Sequence, residues 1–193
     1  MRIWFDIDDV LASTNSYILE KNNNVINWVS FTYDDRTEYF LMDNLSLWFT
    51  DYADTERYYE EVCGWEWDMN LPTINNAKKV IDYLKKEGHE LFLITARPVS
   101  YKNFTIKWIN NYFWSDTFKE LHFIEEEGVT KWKICSDLWL DFFVEDWLHH
   151  AESISEIWIK VLLLEASHNK NIEKLPKNVD RIYDLSEVFD KIK

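Results

Sequence analysis

The chain has 193 residues, enough for one substantial domain with an insertion, and a formal net charge of −14. Asp and Glu outnumber Lys and Arg by 35 to 21, which argues against a nucleic-acid polymer as partner because binding to a phosphate backbone depends on Lys and Arg. Two cysteines are too few for a disulfide framework or a zinc cluster, and no apolar run reaches the roughly 20 residues that span a bilayer.

The first predicted strand, at residues 3–5, ends in a cluster of acids. Asp6 interrupts the apolar start too early for a signal peptide, so we expect a soluble, cytoplasmic protein with no membrane partner. Asp8 and Asp9 follow closely. Three carboxylates at this spacing repel one another unless a cation or a reaction needs them there. The structural alternative is an acidic junction in which Asp9 caps a following helix.

Residues 15–71 are rich in aromatic side chains and show no strong strand pattern, which predicts a small, mainly helical cap inserted after the first strand. Within it, 16–21 can form a helix that the asparagines at 22–24 end. Most of its aromatic side chains are expected to pack, while one or two could stack on a nucleobase. The aromatic residues considered for that role are Trp28, Phe31, Tyr33, Trp48 and Phe49.

From residue 72 onward, helix and strand patterns alternate. The helix pattern is found at 73–87, 100–113, 130–138 and 185–192. The strand pattern is found at 90–95, 121–124, 142–144 and 157–164. Such alternation predicts a parallel sheet with helices on both faces. We therefore predict an α/β fold with a doubly wound core of 1–14 and 72–193 and a cap of 15–71.

Polar residues stand at the predicted strand ends, where ligands bind in such sheets. Thr95 ends the second predicted strand, Glu145 and Asp146 follow the fourth, and Lys131 begins the helix between the third and fourth. Together with Asp6, they supply carboxylates for magnesium and for nucleophilic attack. The hydroxyl and the ammonium can neutralise phosphate oxygens. The sequence therefore predicts a phosphoryl-transfer site.

These residues resemble, in order, the four motifs of the haloacid dehalogenase (HAD) superfamily. The matching positions are Asp6-Ile7-Asp8-Asp9-Val10, Thr95, Lys131 and Glu145-Asp146. The segment Lys131-Trp-Lys-Ile-Cys, followed ten residues after its lysine by Asp141-Phe-Phe-Val-Glu-Asp, is most similar in spacing to the 5′(3′)-deoxyribonucleotidase family. The resemblance implies a HAD-like Rossmannoid three-layer sandwich with a small helical cap, and it is the sole ground for expecting a homodimer.

Carried over residue by residue, the resemblance implies a magnesium-dependent phosphatase that forms an aspartyl-phosphate. Asp6 would be the nucleophile. Asp8 would protonate the leaving oxygen and then act as base on the hydrolytic water. Magnesium would be held by Asp6, the backbone carbonyl of Asp8 and Asp146, and Glu145 would support its bound water.

The resemblance also implies how the phosphate is bound. Thr95 and the backbone N–H of Ala96 would bind its oxygens, and Lys131 would stabilise the charged transition state. Arg97 either binds the substrate or pairs with surface acids. Taken singly, Thr95 is better explained as a cap of the next element, and Lys131 as a solvated helix residue.

Three positions depart from the family pattern. Asp9 stands where glycine is common, Glu145 where aspartate is common, and Trp147 where a small or basic residue is frequent. These departures bear on substrate choice more than on the chemistry. Asp9 itself either caps the next helix or adds negative charge that magnesium must balance.

The leading prediction is hydrolysis of a small phosphorylated substrate, above all a (deoxy)nucleoside monophosphate. Enzyme alternatives are a sugar-phosphate phosphatase or a phosphatase for nucleic-acid 3′ ends, and the acidic charge counts against the second. A different class is a non-catalytic HAD-fold binding or regulatory protein, for which loss of Asp6 or Asp8 would be the expected mark. Base preference and 5′ versus 3′ selectivity are left open.

Overall fold

A computed structural model of the chain describes residues 1–23, 33–38 and 69–192. The strands of this part of the chain are β1 (Arg2–Phe5), β2 (Glu90–Thr95), β3 (Phe118–Phe123), β4 (Phe142–Glu145), β5 (Lys160–Leu164) and β6 (Val179–Ile182). Its α-helices are α1 (Thr14–Asn23), α2 (Ala77–Lys86), α3 (Lys102–Tyr112), α4 (Ile124–Glu127), α5 (Lys131–Leu138), α6 (Leu148–Ser155) and α7 (Val188–Lys191). Three short 3₁₀ helices lie at Tyr33–Asp35, Val99–Tyr101 and Leu185–Glu187.

The six strands form one parallel sheet in the order β3-β2-β1-β4-β5-β6. The chain moves outward from β1 through β2 to β3 and then returns, so that β4 pairs with the other side of β1. The carboxyl ends of β1 and β4 therefore flank the point where the strand order reverses, which is the usual ligand position in such sheets. The predicted α/β fold is confirmed.

Side chains of the central strands alternate between two buried clusters, one on each face of the sheet. Ile3 and Phe5 of β1 pack with α2 and with Trp108 of α3. Trp4 points to the opposite face, where its ring stacks on Phe92 at a centroid distance of 4.7 Å and α5 and α6 cover the cluster. Because both faces are buried, these strands are almost continuously apolar.

Several predicted boundaries shift by a few residues. The helix predicted from residue 73 begins at Ala77, because Asn76 is left-handed (φ 63°) and Thr73 instead bridges to Ala12. The strand predicted at 157–164 begins at Lys160, since Trp158 also has a positive φ (69°). The third strand begins earlier than predicted and ends before residue 124, where α4 starts.

The sequence prediction lacks three elements, β6, α6 and the four-residue helix α4. Of the four residues of β6, Asp180 and Arg181 are polar and half-exposed, so the strand has no apolar run. The helix predicted at 185–192 is instead a 3₁₀ turn followed by α7. Its start is fixed by a capping box in which Asp184 and Glu187 bond each other's backbone N–H groups.

The tryptophans outside the predicted cap are divided between the core and the surface. Trp4 and Trp108 are buried in the core, as is the thiol-bearing side chain of Cys135. Trp114, Trp139 and Trp158, by contrast, are 69%, 83% and 77% exposed and lie in loops that lead into strands. The bulky side chains of this sequence are therefore not all part of the core.

Most of the predicted cap lies outside the described residues, including Trp28, Phe31, Trp48 and Phe49. The helix predicted at 16–21 is confirmed within α1. No helix in the described ranges has the length and apolar character needed to cross a membrane.

Candidate active site at the strand ends

Asp6 lies directly after β1 and is buried. Its backbone N–H donates to the carbonyl of Val144 at 3.0 Å, which extends the pairing of β1 with β4 beyond the end of the strand. A tight loop follows, in which the N–H of Ala12 donates to the carbonyl of Ile7 at 2.8 Å. This loop holds the acidic residues at 6–9 against the carboxyl edge of the sheet.

Lys131, the first residue of α5, is only 1% exposed. Its Nζ lies 2.9 Å from Oδ2 of Asp6 and 2.9 Å from Oε2 of Glu145. Burial alone would lower the pKa of the ammonium, but the charges of the two carboxylates outweigh it and raise the pKa. The lysine is therefore a fixed buried cation and not a solvated helix residue.

Three acids lie close together at this point of the sheet edge. One carboxylate oxygen from each of Asp6, Glu145 and Asp146 lies within 4.8 Å of the others. Among the described residues, Oδ1 of Asp6 and Oδ1 of Asp146 are buried and accept no hydrogen bond. Hard, anionic oxygen donors in this arrangement fit a magnesium ion.

The acids differ in their affinity for protons. Burial, together with the neighbouring carboxylates, raises the pKa of Asp6 to about 8 and the pKa of Asp146 well above its ordinary value. Burial also acts to raise the pKa of Glu145, but the ammonium of Lys131 outweighs it and the pKa falls to about 2. Three carboxylates share one ammonium, so a divalent cation would remove the remaining repulsion.

Asp8 faces Arg97. Nη2 of the guanidinium donates to Oδ1 at 2.7 Å and Nε donates to Oδ2 at 2.9 Å, while the Thr14 hydroxyl donates to Oδ1 at 2.5 Å. Burial alone would raise the pKa of Asp8, but Arg97 outweighs it and holds the pKa below its ordinary value. Arg97 thus pairs with an acid of the site itself, and Asp8 is held as a carboxylate.

The end of β2 lies at the same edge of the sheet. Thr95 is buried and its Oγ1 accepts the backbone N–H of Arg97 at 3.1 Å, so it caps the turn that follows the strand. Ala96, between them, is exposed. The hydroxyl of Thr95 accepts in this cap, so its proton can still be donated to a phosphate oxygen. Phosphate binding by Thr95 and by the backbone N–H of Ala96 stays a prediction.

Asp9, whose role the sequence left open, is buried beside the site. Its Oδ1 accepts the backbone N–H of Asn15 in the first turn of α1 at 3.0 Å, as the capping alternative requires. Its Oδ2 accepts Nη1 of Arg36 at 2.9 Å. The charge of Asp9 is therefore balanced by a guanidinium.

Sequence reasoning assigned no role to Asn169, which is buried after β5. Its Nδ2 donates to the carbonyls of Asp146 and Leu164, each at 2.8 Å, and its Oδ1 accepts Nη1 of Arg181 at 2.8 Å. Asn169 thereby joins the backbone of a candidate metal ligand to the ends of β5 and β6.

The histidines contribute no donor to the acidic cluster of the described residues. His168 has its Nε2 at 3.1 Å from the carbonyl of Asp146, and burial, followed by the charge of Arg36, lowers its pKa to about 4. It is therefore neutral at physiological pH, and its role is structural. His150 contacts Glu145 from outside the cluster, at 3.7 Å.

The sheet order, the aspartate after β1 and the acidic pair after β4 agree with the HAD-like fold that the resemblance implies. Solved structures confirm this fold. The chain matches a structure described as "a predicted phosphoglycolate phosphatase" from Haemophilus somnus with a TM-score of 0.67 and 16% identity, over 99% of this chain and 97% of that one. It matches a "putative HAD-hydrolase" of Bacillus subtilis, described as bound to magnesium, with a TM-score of 0.64 and 14% identity, over 100% and 98% of the two chains.

Among curated relatives, the chain is 23% identical over 185 residues to a protein of Oceanobacillus iheyensis described as a "putative nucleotidase". That similarity covers 93% of this chain and 95% of the relative. No family model matches the chain. The chain thus has the HAD fold, in agreement with the resemblance of its motifs.

Proposed function

We propose that the protein is a magnesium-dependent phosphatase for small phosphate monoesters, with (deoxy)nucleoside monophosphates as the favoured substrates. The observation that carries this proposal is the buried contact of Asp6 with Lys131 beside two further acids at the switch point of the sheet. A carboxylate nucleophile, a fixed ammonium and a set of oxygen ligands are what transfer of a phosphoryl group requires.

The proposed reaction has two steps. First, a carboxylate oxygen of Asp6 attacks phosphorus, the phosphorus–ester oxygen bond breaks, and Asp8 gives a proton to the leaving alkoxide. Second, water attacks the aspartyl-phosphate while Asp8 takes its proton, and the bond between phosphorus and Asp6 breaks. Inorganic phosphate leaves, and both aspartates return to their starting states.

A magnesium ion would be held by Asp6, the backbone carbonyl of Asp8 and Asp146, with Glu145 supporting its bound water. When bound, it supplies positive charge that reduces the repulsion between the phosphate and the nucleophile. Lys131 is already fixed by two carboxylates and adds its charge without reorganisation during the reaction.

Arg97 has a further part in this proposal. Asp8 can donate a proton in the first step only if its ion pair with Arg97 weakens, because that pair favours the carboxylate. A substrate phosphate offers the guanidinium a competing anion. Substrate binding to Arg97 would then raise the pKa of Asp8, so that Asp8 takes up a proton from solvent or from a monoanionic substrate phosphate and can give it to the leaving oxygen.

The preference for nucleotides rests on different support. The relative described as a "putative nucleotidase" is similar along nearly its whole length. The net charge of −14 favours a small monoester over a polymer, because few Lys and Arg residues are available to follow a phosphate backbone.

The test is a hydrolysis screen over 5′- and 3′-nucleoside monophosphates, in ribo and deoxy forms, and over sugar phosphates, each with magnesium and with EDTA. We expect magnesium-dependent release of phosphate, fastest from nucleotides. Asp6→Asn should reduce kcat by roughly a thousandfold or more, because it removes the nucleophile. Asp137→Asn, at an exposed acid on α5, is the matched control and should retain full activity.

The outcomes separate the parts of the proposal. Activity that survives Asp6→Asn rules out this nucleophile, and activity that survives EDTA rules out the metal requirement. Faster turnover of sugar phosphates would overturn the substrate class and leave the phosphatase assignment standing.

A further inference from the structure

Arg36 and Asp9 form an ion pair buried beside the active site. The two residues are 1% and 3% exposed, and Nη1 of the arginine lies 2.9 Å from Oδ2 of the aspartate. Asp9 has a φ of 53°, a conformation that glycine adopts without strain and that other residues rarely take. Burying a carboxylate on a residue with left-handed backbone is unfavourable by itself. The geometry of the loop therefore does not explain why an aspartate stands at position 9.

Residues 33–36, which carry Arg36, also contact the loop after β5. Lys170 donates from Nζ to the carbonyl of Asp34 at 3.1 Å. The hydroxyl of Tyr33 hydrogen-bonds to the backbone of Ser167. The segment 33–36 therefore contacts two different loops at the carboxyl edge of the sheet, one after β1 and one after β5.

The loop after β1 contains candidate magnesium ligands, and the loop after β5 contacts one. Asp9 directly follows Asp8, whose backbone carbonyl is one of the proposed ligands. In the loop after β5, Nε2 of His168 lies 3.1 Å from the carbonyl of Asp146 and 3.5 Å from its Oδ2. Groups that orient metal ligands in this way, without touching the metal, commonly change metal affinity when they are mutated.

We propose that Arg36 is a positioning residue for the magnesium centre. Arg36 holds segment 33–36 between the two loops. Through its ion pair with Asp9, it fixes the backbone of Asp8. The same segment supports the loop after β5, from which His168 contacts Asp146. The inference rests on the proposed magnesium site. It assigns to the buried ion pair a role that the predicted motifs leave unexplained.

The test is a titration of the whole chain with magnesium alone, in which isothermal calorimetry measures binding. Arg36→Met should weaken magnesium binding roughly 10- to 100-fold. It should also lower the unfolding temperature, because the buried carboxylate of Asp9 loses its counter-charge. Arg36→Lys keeps the charge and should retain most of the affinity. Lys102→Met, which breaks the exposed pair with Glu126, is the control and should change nothing.

The double variant Asp9→Asn/Arg36→Met decides between positioning and a purely structural role. It removes both buried charges, so the unfolding temperature should recover relative to Arg36→Met. If Arg36 positions the metal ligands, magnesium affinity should stay weak in this stable variant. Magnesium binding at wild-type strength in the double variant would overturn the proposal.

This titration contains no substrate, so it is separate from the test of the proposed function. If the wild-type protein binds magnesium but hydrolyses no phosphate ester, the proposed function fails and the role of Arg36 is still decided by its variants. If the wild-type protein is an active phosphatase and the double variant binds magnesium normally, only the role of Arg36 fails.

Discussion

At the scale of single residues, the site is organised by how its acids share the available cations. Asp8 and Asp9 each contact a guanidinium of their own, Arg97 and Arg36. The other three acids lie close together, and two of them, Asp6 and Glu145, share the ammonium of Lys131. The excess of negative charge is therefore local. It falls where the resemblance places magnesium, and the acids on either side are already neutralised.

This charge distribution predicts an unusual pH dependence for the metal-free protein. Asp6 holds its proton up to about pH 8 in the folded state, whereas its ordinary pKa is 3.8. Between these values the folded state binds more protons than the unfolded state, so the free energy of unfolding falls as pH rises. His168, with its pKa lowered to about 4 from 6.5, has the opposite effect, but it has little influence above pH 6.5.

The measurement is thermal unfolding in EDTA between pH 6.5 and pH 8. We expect the unfolding temperature to fall across this range and the fall to be suppressed by saturating magnesium, which favours the ionised acids. Asp6→Asn in EDTA should show a shallower fall because one of the titrating groups is gone. A wild-type unfolding temperature that does not change with pH in EDTA would contradict the picture of a proton-holding acidic site.

At the scale of elements, the site depends on links between loops that follow different strands. Asn169 is the best-connected of these links, because its amide contacts the loop after β4, the end of β5 and Arg181 of β6. It also accepts the backbone N–H of Ala166 at 3.1 Å. The edge strand β6 is thus joined to the candidate metal site through one buried amide.

Asn169→Ala should be strongly destabilising for its size. It leaves several buried donors and acceptors without partners, and we expect the free energy of unfolding to fall by about 3 kcal/mol. Chemical denaturation with matched m-values would measure the change. Asn103→Ala, at an exposed position on α3, is the control and should change stability little. Equal stability of the two variants would show that the Asn169 contacts are not needed.

At the scale of the whole molecule, charge sets which phosphate compounds can approach. The chain carries 35 acidic and 21 basic side chains, and three of the basic ones are occupied in buried ion pairs at the site. A mononucleotide needs only a few local cations, whereas an oligonucleotide brings further phosphates to an acidic surface.

A competition assay tests this difference. An oligonucleotide with a 3′-phosphate should be a poor substrate and should not inhibit hydrolysis of a mononucleotide at equal phosphate concentration near physiological salt. Lowering the salt should not improve oligonucleotide binding, because few counterions would be released. Efficient removal of the 3′-phosphate, with a steep salt dependence, would favour the alternative function on nucleic-acid ends.

Local patterns in the sequence were sufficient to predict the main strands and helices of the core. Burial on both faces makes β1, β2 and β5 apolar runs, and α2 keeps helical spacing, so these elements were predicted to within a few residues. Because parallel strands end at a common edge, the acids after β1 and β4 were also expected to meet. In the structure, Lys131 contacts both Asp6 and Glu145.

Only the tertiary structure decided which groups pair within the site. The pairs Arg97–Asp8 and Arg36–Asp9 join residues 89 and 27 positions apart, and nothing in the local pattern of either partner indicates the other. The same holds for Asn169, whose neighbours come from three strand ends. The sequence by itself therefore determined the fold and the chemical groups of the site, because both follow from local periodicity and strand direction. The charge state and support of those groups depend on distant contacts that form only when the chain folds.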